Sequence, residues 1–338
     1  MTRRANTVSK TVVLVMLEAG DKDGQAFQDA IAADAELQER VELRFGRGDD
    51  AKAAIGDAEI VVSGSVSQEL LDAAPYLRWI AFWSAGMDGK VTEPMRARNL
   101  ALTNASGVHG PNIAEHVLGF MLMFTRELHL HMRSQIEGVW GRADRLPRRG
   151  ANELAGQTLG IVGLGRIGEA LTARAKSCEM RVVATKRDPN ARYEASVVPD
   201  ALYPPEELPR LLAESDHVCI ALPYTTETHH LFDAALLAQM KPTAYLYNIG
   251  RGRIVDENAL IDALRKGRIA GAGLDVFETE PLPADSPLWK MENVILTPHT
   301  SGGTPYYFPR FAALFTDNLR RYLNGEPLRN LYDPERGY

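Results

Sequence analysis

Thr158-Leu159-Gly160-Ile161-Val162-Gly163-Leu164-Gly165-Arg166-Ile167-Gly168-Glu169 decides the fold of this chain. Thr158 to Val162 has the length and apolar content of a buried strand, and Glu169 to Cys178 reads as a helix. Between them stands Gly163-x-Gly165-x-x-Gly168. The first glycine permits a tight turn, the second lets backbone approach a pyrophosphate, and the third lets helix and strand close together. The helix N-terminus, with Arg166 and Ile167 in its first turn, then faces the anion. With 28 glycines in 338 residues the bare spacing arises easily in a loop. Strand before and helix after turn it into a dinucleotide site.

The next strand, Arg181 to Thr185, ends in Lys186-Arg187. A site for NAD usually places an acidic residue there to accept hydrogen bonds from the ribose 2′-hydroxyl. Two cations would instead pair with a 2′-phosphate, and Asp188 comes too late for the acidic role. The expected cofactor is NADP(H) by preference, with NAD(H) left open.

Composition sets the outer limits. A chain of 338 residues can build two cores. A charged fraction of 24% with net charge −6 gives no nucleic-acid surface. The local basic cluster Arg142, Arg145, Arg148 and Arg149 lacks interleaved aromatics and reads as a solvated loop or an interface. The two cysteines, Cys178 and Cys219, lie in apolar stretches and read as free thiols in a reducing, cytoplasmic setting. The run Val12 to Leu17 is too short for a signal or a membrane span. No His/Cys/Asp/Glu cluster has metal-ligand spacing, so no metal is expected.

Strand-like and helix-like runs alternate along the chain. Val12–Leu17, Val41–Phe45, Ile60–Ser63, Leu77–Trp83 and Leu100–Thr103 predict one parallel sheet. Thr158–Val162, Arg181–Thr185, His217–Leu222, Ala244–Asn248, Ala270–Val276 and Val294–Thr297 predict a second. Between the two series, Asn112 to Gln135 predicts one long amphipathic helix opened by Gly110-Pro111. The fold class is α/β, with two doubly wound parallel sheets.

Asn248-Ile249-Gly250-Arg251-Gly252, Leu274-Asp275-Val276-Phe277-Glu278-Thr279-Glu280-Pro281 and Thr297-Pro298-His299, together with the glycine-rich turn, resemble the D-isomer-specific 2-hydroxyacid dehydrogenases. The likeness runs from about Val61 to Tyr322. Reducing a 2-oxoacid needs a cation for the carboxylate, a proton donor for the ketone oxygen and a hydride donor over the carbon. Arg251 offers a planar fork for a carboxylate, and flanking glycines let a ligand approach it. His299 changes charge near neutral pH and suits the acid. Glu280 can stabilise its imidazolium and fix which nitrogen faces substrate. The resemblance implies the same catalytic roles for Arg251, Glu280 and His299. His129, His131, His229 and His230 match no role.

The resemblance implies further contacts. Ser84-Ala85-Gly86-Met87-Asp88 corresponds to a substrate loop whose Ala85 and Gly86 amides meet the carboxylate, beside Arg251 and His299. Asp275 corresponds to the residue that binds the nicotinamide carboxamide. Leu222-Pro223 would line the adenosine side, and Asn248 would shape the loop holding Arg251. Val108 and Ala114-Glu115 fall where a helix enters the cleft. Trp83, Met87, Tyr306 and Tyr307 are candidates for the side-chain pocket. A flavodoxin-like substrate domain, residues 1–106 and 304–338, would hold an inserted Rossmann domain, residues 107–303, and close on it by hinge motion. A homodimer is implied, with Val117–Phe124 and the arm around Trp140 as candidate interfaces. The substrate, a small 2-oxoacid, stays open among glyoxylate, hydroxypyruvate and longer or branched acids. Formate dehydrogenase is disfavoured because it pairs its histidine with glutamine, where this chain has Glu280. A nucleotide-sensing, corepressor-like interaction protein on the same fold is the alternative.

Overall fold

A computed structural model of the chain describes residues 10–140, 151–188 and 197–335. The basic cluster Arg142, Arg145, Arg148 and Arg149 lies outside the described residues. The chain divides into two compact units, Met1–Val108 with Thr304–Tyr338, and His109–Gly303.

The first unit carries strands β1 (Thr11–Val15), β2 (Val41–Phe45), β3 (Ile60–Ser63), β4 (Trp79–Phe82) and β5 (Ala101–Thr103). They form a parallel sheet in the order β2-β1-β3-β4-β5, the arrangement of flavodoxin-like folds. Helices α1 (Lys22–Ala32), α2 (Ala35–Arg40), α3 (Gly48–Ala54), α4 (Gln68–Asp72) and α5 (Glu93–Ala97) connect them. Helix α2 is held at its start by Asp34, whose carboxylate accepts from Leu37 N–H. The chain's last helix, Tyr307–Leu323, returns to this unit. Its Phe311, Phe315 and Leu319, one turn apart, are buried on one face. The Phe315 ring stacks on Trp79 at 5.3 Å, and Trp79 Nε1 donates to Thr103 Oγ1 at 2.9 Å. Burial of each phenylalanine contributes about 1.5–3 kcal/mol.

The second unit opens with α6 (Gly110–Thr125) and α7 (Leu128–Ile136). The single helix expected over Asn112–Gln135 is therefore two. The break falls at Glu127, which takes φ 54, a left-handed conformation that ends one helix and redirects the next. Then come β6 (Thr158–Val162), α8 (Arg166–Ser177), β7 (Arg181–Thr185), β8 (Ala201–Tyr203), α9 (Leu208–Glu214), β9 (His217–Ile220), α10 (Ala234–Leu237), β10 (Tyr245–Asn248), α11 (Glu257–Arg265), β11 (Gly271–Leu274) and β12 (Val294–Leu296). They make a parallel seven-stranded sheet, β12-β11-β10-β9-β6-β7-β8. Strand β8 extends the sheet beyond the six strands expected. It pairs with β7 through Val183 and Ala201.

Val117, Phe120, Met121 and Phe124 on α6 are buried in the core of this unit with Leu159, Ile161 and Tyr247. The candidate interface Val117–Phe124 thus gives these four side chains to the core, while its Leu122 is exposed. Further exposed apolar side chains lie on α7 and beyond: Leu128, Met132, Ile136, Val139 and Trp140.

Candidate active site

The ends of the parallel strands in the second unit gather the candidate residues, which is where open α/β sheets bind ligands. The turn after β6 is built as its sequence demands. Gly163 has φ 96, and a Cβ there would lie 2.7 Å from Leu222 Cδ2. Its N–H donates to Thr185 Oγ1 at 3.1 Å, and Leu164 N–H donates to Thr185 O at 2.8 Å, which ties the turn to β7. Gly168 lets α8 settle on β6, since a Cβ would meet Ile161 Cγ2 and Leu164 Cδ1 at 3.1 Å. Gly165 differs: open space surrounds the position of its Cβ. It precedes α8 without giving a side-chain cap to the helix. An open glycine before an uncapped helix N-terminus fits a pyrophosphate. Arg166 is exposed, and Ile167 packs partly against the unit's core.

Lys186 and Arg187 follow β7, with Lys186 N–H donating to Tyr203 O at 3.0 Å. The Arg187 side chain is 59% exposed, and its Nη2 lies 4.0 Å from Glu227 Oε2. Leu222 sits beside Gly163. Pro223 is exposed, and its carbonyl accepts from Thr228 Oγ1 at 2.9 Å.

After β10, the buried Asn248 shapes the next turn. Its Oδ1 accepts from Gly250 N–H at 3.2 Å, and its Nδ2 donates to Arg251 O at 3.0 Å. Arg251 Nη1 donates to Gly250 O at 2.8 Å. The glycines beside Arg251 are there for a different reason than ligand approach. A Cβ on Gly250 would lie 2.7 Å from Leu222 O, and one on Gly252 would lie 1.9 Å from Phe277 C and O. Protein backbone, not ligand, occupies that space. The Arg251 turn is thereby pressed onto the segment that leads from Phe277 to Glu280.

Glu280 uses both carboxylate oxygens. Oε1 accepts from Phe277 N–H at 3.0 Å, and Oε2 lies 2.7 Å from His299 Nδ1. With Nδ1 donating to that carboxylate, Nε2 is left as the nitrogen that can meet a ligand. The His299 side chain is 51% exposed. Asp275 is fully buried, and its carboxylate holds the loop around His299. Oδ1 accepts from Thr297 Oγ1 at 2.6 Å and Thr300 N–H at 2.8 Å, and Oδ2 from Ser301 N–H at 3.0 Å. Arg251, Glu280, His299 and Asp275 are thus linked through adjacent turns of one sheet edge.

The profile of the D-isomer specific 2-hydroxyacid dehydrogenase family, NAD binding domain, matches residues 118–301. This chain belongs to that family. It is 39% identical over 285 residues to the glyoxylate/hydroxypyruvate reductase B of Pectobacterium carotovorum, covering 83% of this chain and 88% of the relative. A D-isomer specific 2-hydroxyacid dehydrogenase family protein from Aeromonas salmonicida has a similar structure. Its TM-score is 0.76 at 35% identity, over 96% of this chain and 99% of that one. So has the D-isomer specific 2-hydroxyacid dehydrogenase from Xanthobacter autotrophicus, solved in complex with NADPH and MES. There the TM-score is 0.75 at 31% identity, over 98% and 100% of the two chains. The dehydrogenase is an oxidoreductase acting on a CH–OH group with NAD(P).

In the first unit of the dehydrogenase, Ala85 and Gly86 lie in the turn after β4, where Ser84 Oγ donates to Gly86 O at 3.0 Å. Met87, a candidate for the side-chain pocket, is buried in that unit's core with Ile80 and Met95. Trp83 is half-buried edge-on to Phe308, Tyr307 packs beside Phe308 and Phe311, and Tyr306 is exposed. Glu115 pairs with Arg174 of α8 at 2.6 Å, a structural contact. Among the described residues no cluster of His, Cys, Asp and Glu could hold a metal ion, and no helix is long and apolar enough to cross a membrane.

Some residues that touch the candidate site carry no motif. His116 Nε2 lies 2.9 Å from Thr297 Oγ1, and burial lowers its affinity for a proton while Asp275 opposes that. His230 Nε2 lies 2.6 Å from Glu278 Oε1, in the segment that ends at Glu280. His230 is therefore structural, as a support to that segment. A polar residue interrupting the apolar face of α6 was the available signal for His116.

Proposed function

We propose that the dehydrogenase reduces small 2-oxoacids to D-2-hydroxyacids with NADPH as the preferred donor. The observation that carries this reading is the His299–Glu280 pair, held at 2.7 Å through Nδ1 so that Nε2 is left over, on the same end of the sheet as Arg251. His109–Gly303 is read as the cofactor domain, and the unit of Met1–Val108 with Thr304–Tyr338 as the substrate domain.

The Gly163–Gly168 turn and the start of α8 would hold the pyrophosphate. Lys186 and Arg187 would hold a 2′-phosphate, and Leu222 and Pro223 would flank the adenosine. When bound, the reduced nicotinamide supplies a hydride. Arg251 binds the oxoacid carboxylate through its guanidinium fork. Ala85 and Gly86 are proposed as backbone donors to the same carboxylate on the strength of their motif. His299, as the imidazolium, gives its Nε2 proton to the ketone oxygen as that oxygen gains charge. Glu280 stabilises the cation beforehand and keeps Nδ1 protonated throughout. Neutral His299 then regains a proton from solvent, and in the reverse direction it acts as the base. On the strength of its motif, Asp275 is proposed to meet the nicotinamide carboxamide.

The relatives support the substrate class, since the Pectobacterium protein is a glyoxylate/hydroxypyruvate reductase. The NADPH-bound Xanthobacter structure supports the cofactor. Two free cysteines fit a cytoplasmic setting. The exposed stripe Leu128, Met132 and Ile136, one helical turn apart, with Trp140 beyond it, is the proposed homodimer surface. The test is a panel of glyoxylate, hydroxypyruvate, pyruvate and branched oxoacids with NADPH and NADH, with chiral analysis of every product except the achiral glycolate. Turnover to the D-isomer, faster with NADPH, is expected. No turnover with any oxoacid, or an L-product, sinks the proposal.

A further inference from the structure

His109, at the N-cap of α6, and Asn112 and His116 within it stand on one face, three and four residues apart. All three grip the loop that carries His299. His109 Nδ1 lies 3.1 Å from Gly302 O, Asn112 Nδ2 donates to Ser301 O at 2.8 Å, and His116 Nε2 lies 2.9 Å from Thr297 Oγ1. The direction of the last contact can be worked out. The Thr297 hydroxyl has a single hydrogen, and its 2.6 Å bond to Asp275 Oδ1 uses it. The hydroxyl oxygen must therefore accept from His116, which places a hydrogen on Nε2. The edge of this ring packs against Phe120 at 4.6 Å.

Beyond Thr297, the Asp275 carboxylate collects Thr300 and Ser301 N–H, the amides that immediately follow His299. His299 N–H itself donates to Asp275 O at 2.9 Å and to Thr297 O at 3.0 Å. The loop needs this much restraint because His299 has φ 52, a conformation that residues with a side chain avoid unless their surroundings impose it.

We infer that His116 is a positioning residue for His299. It acts through Thr297 and Asp275 to keep the loop from Thr297 to Ser301 in the one arrangement that aims the His299 ring. The inference rests on the acid role given to His299 above, and the experiment separates the two. His116→Leu removes the donor and keeps the bulk. With glyoxylate and the parent's preferred coenzyme, its kcat falls by about ten- to a hundredfold, the scale of a lost hydrogen bond to a charged network. Coenzyme Kd, measured by fluorescence titration, changes much less than kcat, because Asp275 is the one proposed coenzyme contact that touches the loop. In protein without coenzyme, hydrogen exchange of the peptide spanning 297–302 speeds up, since its amides lose their anchor. His116→Gln returns an N–H to the site and restores kcat to within about fivefold.

Thr297→Val imitates His116→Leu, and in the double variant the two losses do not multiply. A His116→Leu enzyme with parental kcat and unchanged exchange overturns the inference. So do losses that multiply across the pair, or a glutamine variant no better than leucine. Should His299→Gln retain parental turnover, the acid role falls; should it be inactive while His116→Leu keeps parental turnover, only the positioning role falls.

Discussion

Gly252→Ala tests whether Arg251 is placed by backbone packing. The added Cβ would lie 1.9 Å from the carbonyl carbon and oxygen of Phe277 and 2.5 Å from Glu278 N. Ordinary contact begins near 3.4 Å, so the two turns must separate by about 1.5 Å. The atoms met are main chain and cannot swing aside as a side-chain tip would. Overpacking of this kind costs about 1–3 kcal/mol, and in a unit of this size each kcal/mol lowers Tm by roughly 2–4 °C. The functional effect is larger. Misplacing a catalytic group by about 1 Å can cost a hundredfold, so kcat/KM for the oxoacid should drop by about two orders of magnitude or more. Coenzyme binding at the far turn should hardly change. The assay pairs steady-state kinetics with thermal unfolding and a coenzyme titration. A folded Gly252→Ala enzyme with parental kcat/KM would refute the reasoning, because it would show that the Arg251 turn is not fixed by the Phe277 backbone.

Other changes probe other parts of the site. His299→Gln should lower kcat by about two to four orders of magnitude, and activity within a few-fold of the parent excludes it as the acid. Gly165→Ala meets no atom, so the coenzyme-free protein should keep its stability to within about 0.5 kcal/mol. Coenzyme Kd should nevertheless rise at least about tenfold, since a methyl group then stands where a pyrophosphate needs backbone; equal Kd values argue against the cradle. Replacing Lys186 with Asp and Arg187 with Ser should move the ratio of kcat/KM for NADPH over NADH toward NADH, and an unmoved ratio removes the 2′-phosphate role. The last change concerns stability. His217 is buried between Tyr247 and Gln157, and burial pushes its imidazole down to about 4. The unfolded chain takes up a proton below about pH 6.5 while the folded one does not. Stability is therefore complete above that pH and is lost as pH falls toward 4, by about 2 kcal/mol at pH 5. Urea unfolding at pH 7 and 5 should show a smaller difference in His217→Gln, and an equal difference would contradict the assignment.

Much of the architecture was legible because long-range order here follows local pattern. Strands β6, β7, β9 and β10 are apolar runs bounded by turns, and the Gly163–Gly168 spacing fixes what lies between β6 and α8. Features without a local signature were not legible. Strand β8 is three residues long between Pro199 and Pro204 and exists because β7 offers an edge. The break at Glu127 contains no glycine or proline. At the site, Arg251, Glu280 and His299 stand out by chemistry and motif, but what holds them does not. The contacts of His116 and Thr297 join residues 181 positions apart. The reason for Gly252 lies in the backbone at Phe277, which no reading of neighbours along the chain could reveal.

The first unit's sheet is finished by a helix that arrives last. Phe311, Phe315 and Leu319 complete a core begun by Phe27 and Trp79. During translation, all of His109–Gly303 leaves the ribosome before that helix does, so the inserted unit can fold while the outer one waits with Trp79 uncovered. A chain truncated just short of Phe311 would carry one mature domain and one adhesive, half-made domain. A chaperone meeting this protein at birth has its work at the N-terminal sheet.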